Sequence, residues 1–473
     1  MRIAIRALTA VAVTAVLAAG CSRAGTTSSQ APSSTTASSS ASSSATGSAA
    51  QAASTGPAFG TVTDACHGGG ATGATDQGVT STQILTGVLT DVGFTKDPQL
   101  ETTAKVFTDW CNAAGGIDGR KLVADVHDTQ MLDVVGAMAE ACQKDFVLAG
   151  GSAALDGLAV TTRLKCLLPD FDAQVVMEQN NGSSLQVYPI TNGYSYSPYG
   201  GYYNWLVNKK YPSSKDAVGI LSGASVITQV DSEILVDTAK AVGGKVIYNG
   251  TFPISGVTDW TPYAETLKNK GVKGFTFYGE PGQLAPLEQA MDNIGYHPEW
   301  IDANTNSYGT DFISLLGKAA TEQTNYASLP AVYPIEKAAD NPATEQLVKL
   351  FAQYAPGQPL TLQDVQAWSA WLIFAKSAET CGSALTRLCV YDAALKQTDW
   401  DGGGLTAPVD LANTDAAPTC FDVEQATTSG WVPAPFGANS GAYYCGAIAV
   451  KLPAGFPQPA TLGSVGKSMA DVK

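Results

Sequence analysis

The sequence predicts an α/β protein built as two Rossmann-like lobes, each with a parallel sheet covered by helices. Three observations carry this prediction. Apolar β-type runs alternate with stretches of helical spacing, the strand runs are mostly continuous in apolar residues, and the alternation restarts after a Tyr-rich stretch that ends near residue 203. Continuously apolar strands are typical of parallel sheets buried on both faces, so two runs of βα units indicate two lobes.

The elements follow from hydrophobic spacing, taken in chain order. In the first run, the predicted strands are Gln83–Leu89, Lys121–His127, Phe146–Ala149 and Leu167–Pro169, and the predicted helices are Glu101–Ala114, Val134–Cys142 and Asp156–Leu164. In the second run, the predicted strands are Ala217–Leu221, Lys245–Tyr248, Gly274–Tyr278 and Glu299–Ile301, and the predicted helices are Tyr199–Val207, Ser232–Val242, Pro262–Lys270 and Gln283–Ile294.

The first 60 residues differ in composition from the rest. Two arginines, an apolar run from Leu8 to Ala19 and three small residues precede Cys21, which predicts an export signal over residues 1–21 with a lipidated Cys21. The apolar run is too short to span a bilayer. An ordinary cleaved signal peptide with an incidental cysteine is the alternative. Residues 22–60 are rich in Ser, Thr, Ala and Gly, which predicts a disordered tether, with a wall-crossing or glycosylated stalk as the alternative.

Charge and length limit the function classes. The chain has 42 acidic and 27 basic residues, a formal charge of −15, which argues against a surface that collects phosphates and therefore against nucleic acid as a partner. The remainder, from about Cys66 to Lys473, is long enough for two lobes with their own cores.

The cysteines predict disulfides. Of nine cysteines, setting Cys21 aside leaves eight, and export places them where disulfides persist. Eight cysteines allow about 105 pairings, so we use proximity in the predicted fold and propose Cys66 with Cys111, Cys142 with Cys166, Cys381 with Cys389, and Cys420 with Cys445. Metal ligation is disfavoured, because there are no CxxC pairs and the histidines at 67, 127 and 297 are widely spaced. We predict no metal and no cofactor.

One stretch carries a family resemblance. The run NAAGGIDGRKL at residues 112–122, with Asp128 after it and Gly87-Val88 before it, closely resembles the amino-terminal lobe of the leucine/isoleucine/valine-binding proteins. These are solute-binding proteins of branched-chain amino-acid type ABC importers. The resemblance extends from about Gly78 to Ser377, and the Cys-rich C-terminal segment looks like a variant seen in lipoproteins of high-GC Gram-positive bacteria. Glycines 115, 116 and 119 supply the positive φ angles of a helix-to-strand turn, so we interpret the motif as structural.

The resemblance implies a type I periplasmic-binding-protein fold with a three-crossing hinge. We expect the first lobe to comprise residues 66–190 and 327–397, and the second to comprise 191–326 and 398–473. It also implies a monomer, lipid-anchored on the extracytoplasmic face of the cell membrane through acylated Cys21. Its partners would be a small solute and the permease and ATPase subunits of the importer.

Binding residues are expected at the carboxyl ends of the strands, because open α/β sheets bind ligands there. In the first lobe these are Asp91, the loop Gly151-Ser152-Ala153, and Asp172-Ala173. The family places a carboxylate-binding serine in the second of these loops, and Ser152 or Ala153 matches it; a plain helix cap is the alternative for Ser152. Asp172 is a candidate for an ammonium group, with capping or solvent exposure as the simpler reading.

In the second lobe, the corresponding candidates are Tyr196, Ser197, Ser225, Tyr278, Glu280 and Asn304. One departure from the family matters here. Near Asn304 the family tends to place a carboxylate that neutralises the ligand ammonium, whereas this chain has amides and a threonine. Unless Glu280 or Asp172 substitutes, an amide, urea, short organic acid or aromatic solute competes with a zwitterionic amino acid.

Catalysis is disfavoured. The sequence around Ser152 and Ser225 lacks the last glycine of a GxSxG elbow, and three scattered histidines offer no triad order. We therefore predict a solute-binding lipoprotein of an ABC importer and not an enzyme. The alternatives are a ligand-sensing receptor of the same fold without a transport role and, ranked below it, an amide-processing enzyme.

Overall fold

Helices and strands alternate along residues 56–473, the part of the chain that the computed structural model describes. The predicted export signal, Cys21 and the tether up to residue 55 lie outside the described residues. The strands are β1 Gln83–Thr90, β2 Lys121–Asp128, β3 Val147–Ala149, β4 Asp170–Phe171, β5 Gln186–Val187, β6 Tyr196–Ser197, β7 Val218–Gly223, β8 Val246–Phe252, β9 Gly274–Tyr278, β10 Trp300–Asp302, β11 Asn325–Leu329, β12 Cys420–Thr427, β13 Gly430–Pro433, β14 Tyr444–Cys445 and β15 Val450–Lys451. The α-helices are α1 Val92–Thr95, α2 Gln99–Ala113, α3 Val134–Lys144, α4 Asp156–Lys165, α5 Gly200–Trp205, α6 Val226–Ala241, α7 Thr261–Lys270, α8 Pro281–Asn293, α9 Thr310–Leu316, α10 Ala319–Glu322, α11 Pro342–Tyr354, α12 Leu362–Cys381 and α13 Arg387–Leu395.

The strands form one main sheet in each lobe. The first has the order β2-β1-β3-β4-β5 and is parallel throughout. The second has the order β13-β12-β11-β10-β9-β7-β8, and is parallel from β11 to β8 but antiparallel where β12 joins β11 and β13. The predicted two-lobe α/β architecture is confirmed, and the antiparallel edge is an addition that the sequence analysis did not predict.

Helix α12 forms the centre of the first lobe. It begins at a capping box between Thr361 and Asp364, and most of its 20 residues are buried. A helix that is apolar on all sides must be covered on all sides. Trp368 and Trp371 are fully buried, and their rings lie 4.9 and 5.4 Å from the ring of Phe107 on α2. None of the helices in residues 56–473 is long and apolar enough to cross a membrane.

One predicted strand is wrong. Leu167–Pro169 forms a turn, and strand β4 starts only at Asp170. Leu167 has a φ of 58°, which a strand does not accommodate, and Pro169 has no N–H to donate to a ladder. Its carbonyl still accepts a hydrogen bond from the Leu148 N–H at 2.9 Å, so the turn leads directly into the sheet.

The four predicted disulfides are present. Cys66–Cys111 joins the amino-terminal segment to α2, and Cys142–Cys166 joins α3 to the end of α4. Cys381–Cys389 closes the turn between α12 and α13, and Cys420–Cys445 joins β12 to β14. Each disulfide therefore attaches a loop or segment of the chain to a helix or strand.

Two terminal segments lie elsewhere than expected. Phe59 is fully buried and Gly60 donates its N–H to Gln346, so the end of the predicted tether belongs to the folded part of the chain. Residues 460–473, grouped above with the second lobe, lie on the first. There Leu462 and Val472 pack against Val160 and Leu164 of α4, because this exposes fewer apolar side chains to water.

A substitution at Phe59 tests whether this segment contributes to stability. Its ring lies 5.0 Å from Trp368 and 6.4 Å from Trp110. Phe59→Ala should lower the free energy of unfolding by about 3–5 kcal/mol, because it leaves a cavity in the core. Urea denaturation measures the change.

The matched control is Phe94→Ala, since Phe94 is 61% exposed. It should change the free energy of unfolding by no more than about 0.5 kcal/mol. Equal stabilities of the two variants would contradict the packing of residues 56–66 described here.

Candidate functional site

The order of the first sheet marks one crevice. The chain leaves β1 to form β2 on one side, and then returns to form β3 on the other side of β1. Ligands of open α/β sheets bind outside the carboxyl ends of the strands at such a switch point. The residues that follow β1 and β3 here are Asp91 and the loop 150–154, as predicted from the strand ends.

Asp91 holds three loops together. Its carboxylate accepts hydrogen bonds from the Ala154 N–H at 2.6 Å, the Met131 N–H at 3.1 Å and the Thr129 hydroxyl. These donors follow β3 and β2, so the carboxylate ties the ends of three neighbouring strands. Both carboxylate oxygens of Asp91 already have hydrogen-bond partners within the protein. Asp91 therefore supports the loops around the candidate site.

Gly150 and Gly151 let the backbone of the second loop approach the core. Gly150 has a φ of 65°, and a Cβ there would lie 2.2 Å from Nε1 of Trp371. The Gly151 carbonyl accepts the Ala173 N–H at 2.9 Å, which joins this loop to the one after β4. Only glycine fits at Gly150, because both the dihedral angle and the contact exclude a side chain.

Ser152 is free of the capping role considered above. Helix α4 begins at Asp156 with Leu155 at its N-cap and has no side-chain cap, so Ser152 lies outside the cap. Its N–H donates to the Leu89 carbonyl at 3.0 Å, and the residue is partly exposed at the end of β3. Ser152 therefore stays a candidate for binding a ligand oxygen.

The other first-lobe candidates point inward. Ala153 is buried under α3 and α4, and Ala173 is fully buried. The Asp172 carboxylate accepts Nε2 of Gln186 at 2.7 Å inside the lobe. Burial raises the pKa of Asp172 well above its ordinary value, and the neighbouring Asp170 raises it further. Only the backbones of these residues lie near the strand ends, and the Asp172 side chain is committed elsewhere.

In the second lobe, four candidates follow adjacent strands. Ser225 is the N-cap of α6 after β7 and accepts the Thr228 N–H at 3.2 Å. Tyr278 ends β9, Glu280 caps α8 after it, and Asn304 follows β10 with a φ of 62°. The edge shared by β7, β9 and β10 thus brings these four residues to one side of the sheet.

The remaining two candidates lie in a separate ribbon. Tyr196 and Ser197 form β6, which pairs with β15. The Ser197 hydroxyl accepts Thr238 of α6 at 2.6 Å and is almost fully buried. Ser197 therefore holds α6 in place through this hydrogen bond.

Two half-buried acids that the strand-end pattern did not predict belong to different lobes, and the charge of one acts on the other. Glu178 lies in the loop after β4, and Asp231 lies on α6. Burial raises the pKa of Asp231 to about 7, and the next cause is the charge of Glu178. Burial also raises the pKa of Glu178. Both side chains are half-buried, and the ten ion pairs found in residues 56–473 include neither.

The position of each acid is fixed by its own lobe. Asp156, at the start of α4, accepts the N–H groups of Val176 at 3.0 Å and Met177 at 2.9 Å, and so holds the loop that carries Glu178. On the other side, the hydroxyl of Ser232 donates to that of Ser222 at 3.1 Å, which attaches α6 to β7 next to Asp231. The sequence gives no signal for either acid, since neither belongs to a recognisable motif.

Aromatic hydroxyl groups border the same space. Tyr199 and Tyr278 have ring centroids 6.4 Å apart. Burial raises the pKa of Tyr199, and Asp231 is the next cause. The buried Tyr278 hydroxyl has no hydrogen-bond partner among the described residues. The charge of Asp231 thus acts on both phenols.

A further acid of the second lobe is affected by the charge of an acid in the first. Desolvation raises the pKa of Glu280, and the charge of Asp97 raises it further. Asp97 follows α1 in the first lobe, and both side chains are exposed. Asp302, which lies near Asn304, points into the lobe and accepts the Thr276 hydroxyl at 2.8 Å. The cleft therefore presents acids from both lobes, while Asn304 itself supplies an amide.

Two partly open pockets lie away from this edge. One lies where the lobes join, between Tyr188, Ile190 and Leu411. The other lies between α5 and β12, next to Trp205 and Phe421. We place the candidate site at the strand ends because a cleft shared by two lobes becomes enclosed only when the lobes close.

The comparisons with known proteins agree with this architecture. A family model described as periplasmic binding protein matches residues 85–430. No curated protein sequence matches the chain significantly. A fatty acid ABC transporter substrate-binding protein from Thermomonospora curvata is 17% identical with a TM-score of 0.66, over 83% of this chain and 99% of that chain.

Two further solved structures are similar. The leucine binding protein LivK from Thermotoga maritima is 14% identical with a TM-score of 0.61, over 78% of this chain and 99% of its own. The branched-chain amino acid transporter substrate binding protein LivJ from Streptococcus pneumoniae, in complex with isoleucine, is 16% identical with a TM-score of 0.59, over 73% and 96%. At these identities the likeness shows the fold.

The matched region covers both sheets, from β1 to the start of β13. Its two lobes, its parallel sheets and its strand-end loops are those expected of a type I binding protein. The chain therefore belongs to the periplasmic binding protein family, a family of extracytoplasmic solute-binding proteins, and has the type I fold of LivK and LivJ.

Proposed function

We propose that this protein is the solute-binding lipoprotein of an ABC importer. It is anchored through Cys21, captures a small polar solute between its lobes and delivers it to a membrane permease. The family match supports solute binding, and the transporter names of the similar structures support transport. Binding shifts the lobes toward a closed state, and the permease distinguishes that state from the open one.

Glu178 and Asp231 support the assignment of solute class, because they are half-buried acids from different lobes and the charge of Glu178 acts on Asp231. Closure brings two carboxylates from opposite lobes into a drier space, where an unpaired charge is costly. A cationic group between them offsets that cost, because each carboxylate gains a partner. The solute therefore carries an ammonium group. This replaces the carboxylate that the family resemblance led us to seek near Asn304.

A carboxylate on the same solute fits the first lobe. The partly exposed Ser152 lies at the carboxyl end of β3, where its hydroxyl can donate a hydrogen bond to a solute carboxylate. An amino acid would use both features. A fatty acid, for which the Thermomonospora curvata protein is named, brings a negative charge and no ammonium, so the acidic pair disfavours it here.

Solute charge is tested by a thermal-shift and calorimetry screen. Amino acids and amines with an ammonium group should stabilise the protein, whereas amides, urea and fatty acids should not. A solute at about 100 times its Kd adds about 2.7 kcal/mol of stability. The variants Glu178→Gln and Asp231→Asn should each weaken binding of the best solute by roughly 30-fold or more, because removing one member of a buried charge contact costs about 2–5 kcal/mol.

The control for both variants is Glu233→Gln, an exposed acid two residues from Asp231 on α6. Its affinity should equal that of the wild type. Strong binding of an uncharged or purely anionic solute, with unchanged affinity in Glu178→Gln, would contradict the assignment.

The pH dependence has opposite signs for stability and for binding. Because the pKa of Asp231 is raised from 3.8 to about 7, the folded state keeps this proton where the unfolded chain loses it. Its contribution to stability is therefore present near pH 4 and declines as the pH rises toward about 7. Cation binding needs the ionised form, so affinity should rise from about pH 6 to about pH 8.

Thermal unfolding of the solute-free protein and calorimetry with the best solute, both across this range, measure the two trends. Asp231→Asn should flatten the rise in affinity. An affinity that falls with rising pH in the wild type would exclude the carboxylate pair as the cation site.

The anchor is tested by Cys21→Ser. The substituted protein should appear in the medium with its solute affinity unchanged, because only the lipid attachment is lost. Cell fractionation followed by calorimetry measures both. Retention of Cys21→Ser in the membrane fraction would show that another segment holds the protein there.

A further inference from the structure

Three side chains of metal-ligand type meet on the first sheet, outside the strand-end loops of the solute site. Asp125 and His127 are two residues apart on β2, so they share one face of this edge strand. Asp145 lies at the end of α3, just before β3. One ligand atom from each lies within 4.8 Å of the other two.

Strand β1 lies between β2 and β3, and its Gly87 leaves the space for this contact. A Cβ at Gly87 would lie 2.4 Å from Oδ2 of Asp145. Through this gap Nε2 of His127 lies 2.7 Å from Oδ2 of Asp145 and 3.7 Å from Oδ2 of Asp125. Tetrahedral zinc with bonds of about 2.0–2.1 Å separates its ligand atoms by about 3.3 Å, so small side-chain shifts suffice.

The Asp145 carboxylate lacks sufficient partners. The side chain is fully buried, and Oδ1 has no hydrogen-bond partner among the described residues. The nearby Arg387 guanidinium donates instead to the backbone carbonyls of Asp145 at 2.7 Å and Phe146 at 2.8 Å. A buried carboxylate oxygen without a donor is costly, and a bound cation offsets that cost.

The surface side of the cluster is accessible. The Asp125 side chain is 27% exposed, and Nζ of Lys144 lies 3.1 Å from its Oδ2. Lys144 is 47% exposed on a flexible stem, so it can move away when a cation enters from solvent. Water can complete the coordination there.

We propose that Asp125, His127 and Asp145 bind a divalent zinc-type cation. One imidazole nitrogen and two carboxylate oxygens suit zinc with a fourth, open position, whereas calcium and magnesium prefer oxygen ligands alone. The ion fixes edge strand β2 to the entry of β3 across β1. The three histidines are scattered in the sequence, which is why no metal was expected, and His127 comes next to Asp145 only in the folded protein.

Calorimetric titration of zinc into the chelator-treated, exported protein tests the site. One ion should bind per chain. Asp125→Asn should weaken binding by roughly 100-fold, since it removes a ligand at the surface without disturbing the buried pair. His127→Gln should also abolish binding. Lys144→Gln should strengthen binding several-fold, because it removes a cation that competes for Asp125.

The matched control is Glu140→Gln, an exposed acid on α3 one turn before Lys144, which should bind zinc as the wild type does. Circular dichroism shows whether His127→Gln folds, and Asp125→Asn decides the result if it does not. The absence of one-to-one binding, or equal affinity in Asp125→Asn and the wild type, would overturn the proposal. Solute affinity should be the same with and without zinc.

Discussion

The contact between Gly150 and Trp371 determines how the candidate site relates to the core. The indole occupies the space where a side chain at Gly150 would lie, and Trp371 itself belongs to the buried helix α12. The loop after β3 is therefore pressed onto the centre of the first lobe. From there the chain reaches Ser152, and the Ala154 N–H meets Asp91. Packing of an apolar helix thus sets the position of polar groups at the sheet edge.

The second lobe positions its acid by different means. Asp231 depends on a capped helix that is attached to β7 through two serine hydroxyls. Glu178 depends on the buried carboxylate of Asp156, whose pKa burial raises to about 6. Each acid is thus held by polar contacts within its own lobe. Closure can change the distance between them without altering either support, which is what a two-lobe binding site requires.

The sequence predicted the regular βα part of the fold closely, because each unit repeats a local pattern. The first strand is predicted to within one residue, and α3 begins where its spacing indicated. The strand predicted at Leu167–Pro169 is wrong, because the prediction relied on apolar content and ignored that Pro169 has no N–H to donate to a sheet. The antiparallel edge of β12 and β13 was not predicted, since it pairs with β11 about 90 residues earlier and no local pattern encodes that distance.

In the candidate site, too, features set by local sequence were predictable, and features set by long-range packing were not. Asp91 and Ser152 were predictable because strand ends in this topology converge. Ala153 and Ala173 are buried, and the Asp172 side chain points into the lobe. These features depend on packing, which the spacing of residues in the sequence does not reveal. Glu178 and Asp231 come from different lobes and are linked only by the arrangement of those lobes. Asp125, His127 and Asp145 come together because the strand between them has a glycine at position 87. Such groupings are visible only in the three-dimensional structure.

Charge acts at two ranges in this molecule. The formal charge of −15 surrounds the whole chain with a field that attracts cations and falls off over about 10 Å at moderate salt. That field does not select a solute, since it acts on every cation alike. Selection requires desolvated groups at fixed positions, and in the proposed function the half-buried Glu178 and Asp231 are these groups. Lys144, next to the edge strand β2, is a surface cation that contacts a partly exposed acid. It contacts Asp125 but leaves Oδ1 of the buried Asp145 without a hydrogen-bond partner in residues 56–473. The difference between attracting a cation and binding one therefore lies in burial.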